Sequence, residues 1–173
     1  MKAILMAALV AAVGCGGTSI DPGNGTGVGS TATCTINLTG AISASNVPCF
    51  ALVGYDTSNG HGSIAIANTG TSAGLSQLAF GVITSGQPTE TTYTIANSVS
   101  TSNVAVSSGG STEWIAVGGT STGSFSLNLT AMSNSTTSGT QTVWASSHGT
   151  ASATLQPAPN STASGTVNVS ITF

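Results

Sequence analysis

The chain has 173 residues, of which 39% are apolar and 23 are glycine, so it can close one hydrophobic core in a single domain. Lys, Arg, Asp and Glu make up only 3% of the residues, and Lys2 is the only Lys or Arg. This composition excludes a basic nucleic-acid surface, because neutralising phosphates takes clustered Lys and Arg. It also argues against disorder, since disordered chains are usually highly charged and poor in β-branched residues.

The N-terminus has the pattern of an export signal. Lys2 is followed by an apolar run over residues 3–13, which has the length of a secretory signal core and is too short to span a bilayer. The run ends in Ala12-Val13-Gly14-Cys15. These residues resemble the lipobox of bacterial lipoproteins, with Ala12 at the position where that family usually has Leu.

The lipoprotein resemblance implies that residues 1–14 are a signal peptide and that Cys15 is lipidated as the mature N-terminus. The membrane is then a partner through this lipid. Gly16, rather than Asp, follows the cysteine, which in Gram-negative members of the family implies sorting to the outer membrane or cell surface. Ordinary signal-peptidase cleavage, with Cys15 free or removed, is the alternative.

The remaining chain divides into a tether and a domain. Residues 15–31 are rich in Gly, Ser and Thr without apolar periodicity, which predicts a flexible tether. Residues 32–173 alternate between short strand patterns and turn signals. Period-two alternation is clearest at 34–38, 125–129 and 167–173, and weaker strands are predicted at 48–55, 63–67, 77–84, 91–96, 103–107, 113–117 and 148–155.

These patterns predict an all-β fold with no helix in the domain. About nine or ten short strands suit a single antiparallel β-sandwich of Greek-key or jelly-roll type, with a small closed barrel as the alternative. Composition, the lipobox-like start and the closing strand at 165–173 resemble the small Ser/Thr/Gly-rich β-sandwich lipoproteins of Gram-negative bacteria. That resemblance implies no activity.

The cysteines indicate one disulfide. With Cys15 assigned to the anchor, Cys34 and Cys49 remain as a pair in an exported chain, where the compartment is oxidising. Two buried free thiols are the alternative. A zinc site is disfavoured because His61 and His148 are far apart in sequence and no Cys-x-x-Cys occurs.

Residues that could carry catalysis are few. Glycoside hydrolysis needs two facing carboxylates, and Asp56, Glu90 and Glu113 are the only candidates in the domain. We interpret all three as solvated acids. Two Gly-x-Ser-x-Gly matches, at 70–74 and 119–123, are interpreted as turns, because a nucleophile elbow needs a strand followed by a helix. We therefore expect no catalytic residue, no metal, no cofactor and no enzymatic activity.

Binding is the function that the composition favours. The leading hypothesis is a non-enzymatic structural or adhesive module, with a glycan or a surface protein as partner. The alternative is a carbohydrate-binding module in which exposed Trp144, Trp114 or Tyr55 stacks on sugar rings. Thr-x-Thr pairs at 33/35 and 92/94 do not recur at a constant period, so no ordered hydroxyl array of the ice-binding kind is predicted.

The lack of charge also bears on the sheet edges. Proteins usually protect exposed edge strands with Lys, Pro or inward charges, and this domain has no Lys. We expect the C-terminal strand at 164–173 to be paired on both sides. Any edge that remains bare would support self-association.

Overall fold

The computed structural model describes residues 34–72, 74–99, 101–118 and 122–173. The predicted signal peptide at 1–14, the lipidated Cys15 and the tether at 15–31 lie outside these residues.

Ten β-strands make up the described part of the chain, which contains no helix. They are β1 Cys34–Gly40, β2 Ala44–Asp56, β3 His61–Asn68, β4 Gln77–Thr84, β5 Thr92–Thr94, β6 Asn103–Gly109, β7 Thr112–Val117, β8 Ser124–Ser138, β9 Gln141–Pro157 and β10 Val167–Thr172. No helix that could cross a membrane occurs within the described residues. The all-β prediction is confirmed.

All ten strands belong to one antiparallel sheet in the order β10-β1-β2-β3-β4-β6-β7-β9-β8-β5. The sheet folds back on itself because β9 also pairs with β10 and with β2. The two layers of the predicted sandwich are therefore parts of a single continuous sheet, joined through β2 and β9.

The core lies between these layers and is built by alternation. In β10, in β1 as far as Leu38 and in β8 as far as Leu129, every second residue is buried and the residues between them are partly or fully exposed. Phe80 of β4 meets Phe125 of β8 edge to face, with ring centroids 5.5 Å apart, so the two layers contact each other directly. Ile36, Leu127 and Val169 are all at most 3% exposed, as their alternation predicts.

The disulfide prediction is confirmed. Cys34 and Cys49 lie directly opposite each other in β1 and β2, with their Cα atoms 4.9 Å apart, and are bonded through their sulfurs. The bond indicates that the protein folds in an oxidising, exported environment.

Two strands are much longer than their sequence patterns predict. The alternation at 125–129 and 148–155 marks only the central parts of β8, Ser124–Ser138, and β9, Gln141–Pro157. Their outer parts form a hairpin arm, residues 130–147, whose turn contains Gly139 at φ 59°. Ser and Thr dominate this arm, and it is held by backbone pairing to β2 as well as by its own hairpin.

The C-terminal strand is central, as expected. β10 pairs with β1 on one side and with β9 on the other. Phe173 continues this pairing by exchanging two backbone hydrogen bonds with Gly149, at 2.8 and 3.0 Å. The sheet order instead leaves β5 and the outer part of β8 at the edge.

Candidate functional site

The three carboxylates lie on separate elements. Asp56 ends β2, Glu90 precedes β5 and Glu113 lies in β7. The Glu90 side chain accepts a hydrogen bond from the backbone N–H of Met132 at 3.3 Å. Within the described residues no hydrogen bond joins two of these carboxylates, and no group of three or more His, Cys, Asp and Glu residues could hold a metal ion.

Asp56 has a structural role in the turn between β2 and β3. Its Oδ1 accepts hydrogen bonds from the Ser58 backbone N–H at 2.9 Å and from the Ser58 hydroxyl at 2.7 Å. The pKa of Asp56 lies below its ordinary value. The hydrogen bond from the Ser58 hydroxyl is the largest cause, and the hydrogen bond from the Ser58 backbone N–H is the second. The turn closes with Gly60 at φ 70°, as its sequence predicts.

The histidines and the first Gly-x-Ser-x-Gly match also make local contacts. His61 Nδ1 lies 3.1 Å from the Thr84 carbonyl oxygen, and His148 Nε2 lies 3.4 Å from the Ser146 hydroxyl. Ser72 exchanges two backbone hydrogen bonds with Leu75, at 2.9 and 3.0 Å, which closes a tight turn there. Of the second match, residues 119–121 lie outside the described part of the chain.

Neither tryptophan is displayed for stacking. Trp114 is 3% exposed and its Nε1–H donates to the Gly165 carbonyl oxygen at 3.1 Å. Trp144 is 9% exposed and lies opposite Val53 of β2. Tyr55 is half-buried against the core. The expectation that Trp144 and Trp114 form an exposed sugar-stacking surface is therefore wrong, because pairing of β9 with β2 and packing of β7 bury both indoles.

The most extensive organised set of polar side chains lies on the outside of the layer formed by β1, β10, β9, β8 and β5. The registers place outward residues of these strands opposite one another in rows. We call this set the polar face. Its first row is Thr35, Thr172, Thr150, Asn128 and Thr92; its second is Asn37, Ser170, Ser152, Ser126 and Thr94; its third is Thr39, Asn168, Thr154 and Ser124.

The polar face follows directly from strand geometry. Successive side chains of a strand point to opposite faces, so the buried partners of these residues fix their direction. In β9, for example, Ala151, Ala153 and Leu155 are buried, and the residues between them are exposed. Neighbouring strands are spaced by about 4.8 Å, and every second residue along a strand by about 6.7 Å. The polar face thus measures about 19 Å by about 13 Å.

All members of the polar face are Ser, Thr or Asn, and none is ionisable. Two bonds tie neighbours within it: Thr154 Oγ1 donates to Asn168 Oδ1, and Thr92 Oγ1 donates to Asn128 Oδ1, both at 3.2 Å. Both bonds occupy the carbonyl oxygen of an Asn. The Asn NH₂ groups have no hydrogen-bond partner within the described residues, so they remain available as donors.

A shallow depression of about 270 Å³ lies on the polar face. It spans β8, β9 and β10, and five residues of the second and third rows line it. These lining residues are Ser124, Ser126, Ser152, Thr154 and Asn168. Phe125, Ala153 and Val169 also line it, so the depression places hydroxyl groups and a carboxamide around a partly apolar patch of the sheet surface.

The sequence predicts which face of each strand is exposed to solvent, but it does not predict the rows of polar side chains that cross the strands. The pairs at 33/35 and 92/94 have no common period along the chain, yet the register puts Thr35 and Thr92 at the two ends of one row. The signal was the recurrence of Ser, Thr and Asn at the outward positions of the alternating stretches of these strands. Comparison of the chain with protein-family models, with curated proteins and with solved structures finds no match.

Proposed function

We propose that this protein is an exported, non-enzymatic surface module with a structural or adhesive role. The observation that carries the proposal is the polar face, an uncharged hydroxyl- and amide-bearing surface on a disulfide-bonded domain. The carboxylates, by contrast, are distributed over separate elements, and those of Asp56 and Glu90 accept hydrogen bonds from Ser58 and Met132. A rigid sheet with an extensive polar outer surface suits contact with another surface better than turnover of a substrate.

The anchor in this proposal is a lipid on Cys15. Its support is the lipobox-like Ala12-Val13-Gly14-Cys15 after an apolar run. The mature chain would then be held at the outer membrane or cell surface of a Gram-negative bacterium. A multi-chain lipid anchor suffices without basic residues, because each buried CH₂ contributes about 0.8 kcal/mol of membrane affinity.

Mass spectrometry of the protein purified from membranes of a Gram-negative host tests the anchor. We expect a mature N-terminus at Cys15 carrying acyl chains, and incorporation of labelled palmitate. Cys15→Ser should abolish both and release the protein from the membrane, while Cys34→Ser serves as the control for loss of another cysteine. An unmodified N-terminus elsewhere would contradict lipid anchoring.

A second proposal concerns self-association through the edge of β8. Residues 133–138 are exposed, and in the described residues their backbone pairs only with β9. Asn134 has φ 57°, which leaves Ser135–Ser138 as the regular stretch. This stretch carries no charge and no proline, the usual protections of a bare edge. We propose that it pairs antiparallel with the same stretch of a second copy.

Sedimentation velocity over a concentration series tests the pairing. The paired stretch is short, so we expect a weak dimer that grows with concentration and is lost in Thr136→Lys, because charges would meet across the symmetric edge. Gln77→Lys, at an exposed position in β4, is the control for added charge. A wild-type protein that stays monomeric at the highest concentration reached would remove this proposal.

A further inference from the structure

The polar face is organised for a partner that presents many hydroxyl groups. The hydroxyls of Thr92, Thr94 and Thr154 already donate to Asn side chains and can only accept. The other Ser and Thr hydroxyls can donate and accept, and the Asn carboxamides add further donors. Neighbouring members of a row lie about 4.8 Å apart, and the rows lie about 6.7 Å apart. The strands β1, β10 and β9 are held by backbone pairing on both sides. A ligand therefore meets a repeating set of donors and acceptors whose backbone positions are fixed.

We propose that the polar face binds an uncharged polysaccharide in an extended conformation, laid across the strands over the central depression. This inference rests on the proposed adhesive function and names its ligand class. The polysaccharide would run along the second and third rows, from β8 across Ser152 of β9 and Ser170 of β10 to β1. Ser124, Ser126, Ser152, Thr154 and Asn168 would line the contact.

Charge selects a neutral ligand over an ionic one. The sequence has four carboxylates and a formal net charge of −3 at pH 7, and none of its acidic residues lies on the polar face. A polyanion would find no cation to pair with and would meet a repulsive net charge. A polycation would find no carboxylate on the polar face. The lack of charge does not weaken hydrogen bonds between the polar face and the neutral hydroxyl groups of a ligand.

The mode of binding differs from aromatic stacking. Trp114 and Trp144 are buried, and no member of the polar face is aromatic. Each neutral hydrogen bond contributes little net free energy, because it replaces bonds to water. Affinity must therefore come from many contacts along one chain, so we expect polymers to be retained while the corresponding monosaccharides fail to compete at equal sugar concentration.

Retention on insoluble polysaccharides tests the proposal. The probes are cellulose, chitin, curdlan and starch as uncharged polymers, with insoluble polygalacturonate as the anionic comparison and ice as a non-glycan hydroxylated surface. The protein used in these assays carries Cys15→Ser, which removes the proposed lipidation site. The assays therefore measure polysaccharide binding separately from membrane anchoring. We expect the protein to be depleted from solution by at least one uncharged polymer.

Two variants locate the contact. Ser152→Arg places a long charged side chain in the depression, and Ser85→Arg makes the same change at an exposed position in the turn after β4. We expect Ser152→Arg to weaken retention by about tenfold or more, equivalent to about 1.4 kcal/mol, and Ser85→Arg to leave it unchanged. Circular dichroism checks that both variants keep the β fold.

A double variant, Thr39→Val with Thr154→Val, removes two hydroxyls of the third row while keeping side-chain shape, and gives an independent reading should Ser152→Arg not fold. It should weaken retention at unchanged thermal stability. Failure of the wild type to bind any uncharged polymer, binding to polygalacturonate or ice alone, or full retention by folded Ser152→Arg would each overturn the proposal. None of these three results would contradict the separate proposal that Cys15 is lipidated.

Discussion

Gly149 lies where β9 passes closest to the C-terminal residue. A Cβ atom at this position would come within 2.7 Å of Phe173 Cζ and would also meet the backbone carbonyl of Asn128. Its φ is not in the left-handed region, so the requirement for glycine is steric. The close approach lets Phe173 stay 4% exposed in the core.

We expect Gly149→Ala to lower the free energy of unfolding by about 1–3 kcal/mol, because overpacking forces the backbone apart. Urea unfolding followed by tryptophan fluorescence measures the change. Gly70→Ala is the matched control, since a Cβ there meets nothing within 4 Å. Equal stability of the two variants would show that the strands yield without cost.

At the turn after β2, Ser58→Ala should raise the pKa of Asp56 toward its ordinary value, because it removes the hydroxyl that contributes most to the lowered pKa. NMR titration of the side-chain carboxyl measures the shift. The folded pKa lies below the unfolded one, so the carboxylate adds stability that is present at pH values above its ordinary pKa of 3.8 and is lost as pH falls through the folded pKa. An unchanged titration curve in Ser58→Ala would assign the shift to other contacts.

At the scale of elements, the disulfide joins β1 to β2 at the start of the described chain. The cysteines are 15 residues apart, and closing a loop of that length restrains the unfolded chain by about 3 kcal/mol. The bond ties the layer that carries the polar face to the strand that crosses into the second layer.

Reduction should therefore lower the unfolding midpoint in urea by an amount equivalent to about 3 kcal/mol. The double variant Cys34→Ala with Cys49→Ala should show a similar loss and no further response to reductant. If reduction leaves the wild-type midpoint in place, the bond contributes nothing to stability.

The arm of β8 and β9 shows where element prediction from sequence stops. Alternation identified the strands at 34–38, 125–129 and 167–173, because one face of each is buried. Residues 130–147 are mostly polar and show no period, so nothing local marks them as strand. Trp144 is buried only because β9 pairs with Val53 of a strand far away in the sequence. Pairing between strands that are distant in the sequence cannot be predicted from local sequence patterns.

For the molecule as a whole, stability must come from burial, backbone pairing and the disulfide. No Lys or Arg occurs within the described residues, so their carboxylates form no ion pair with a Lys or Arg of that part of the chain. We expect the thermal midpoint to change little between low salt and about 150 mM NaCl, because the described part of the fold has no such ion pair for salt to screen. A large fall with added salt would contradict this description of the fold.

The candidate site was only half predictable from the sequence. Each strand's outward Ser, Thr or Asn follows from its alternation, but the rows joining Thr35 to Thr92 depend on the strand order and register. Asp56 has a local signal, because an Asp followed by Thr-Ser-Asn-Gly is typical of a turn in which the Asp side chain caps the backbone, as it does here at Ser58. The aromatic expectation was wrong because burial of Trp114 and Trp144 is decided by neighbours that the sequence does not name.

If the polar face binds a neutral polysaccharide through its uncharged side chains, binding should not depend on salt. Depletion of the Cys15→Ser protein by an uncharged polysaccharide at low salt and in about 0.5 M NaCl tests it most directly. Neutral hydrogen bonds are not screened, so we expect equal retention at both salt concentrations. Retention that disappears in salt would mean that ionic groups outside the polar face hold the ligand.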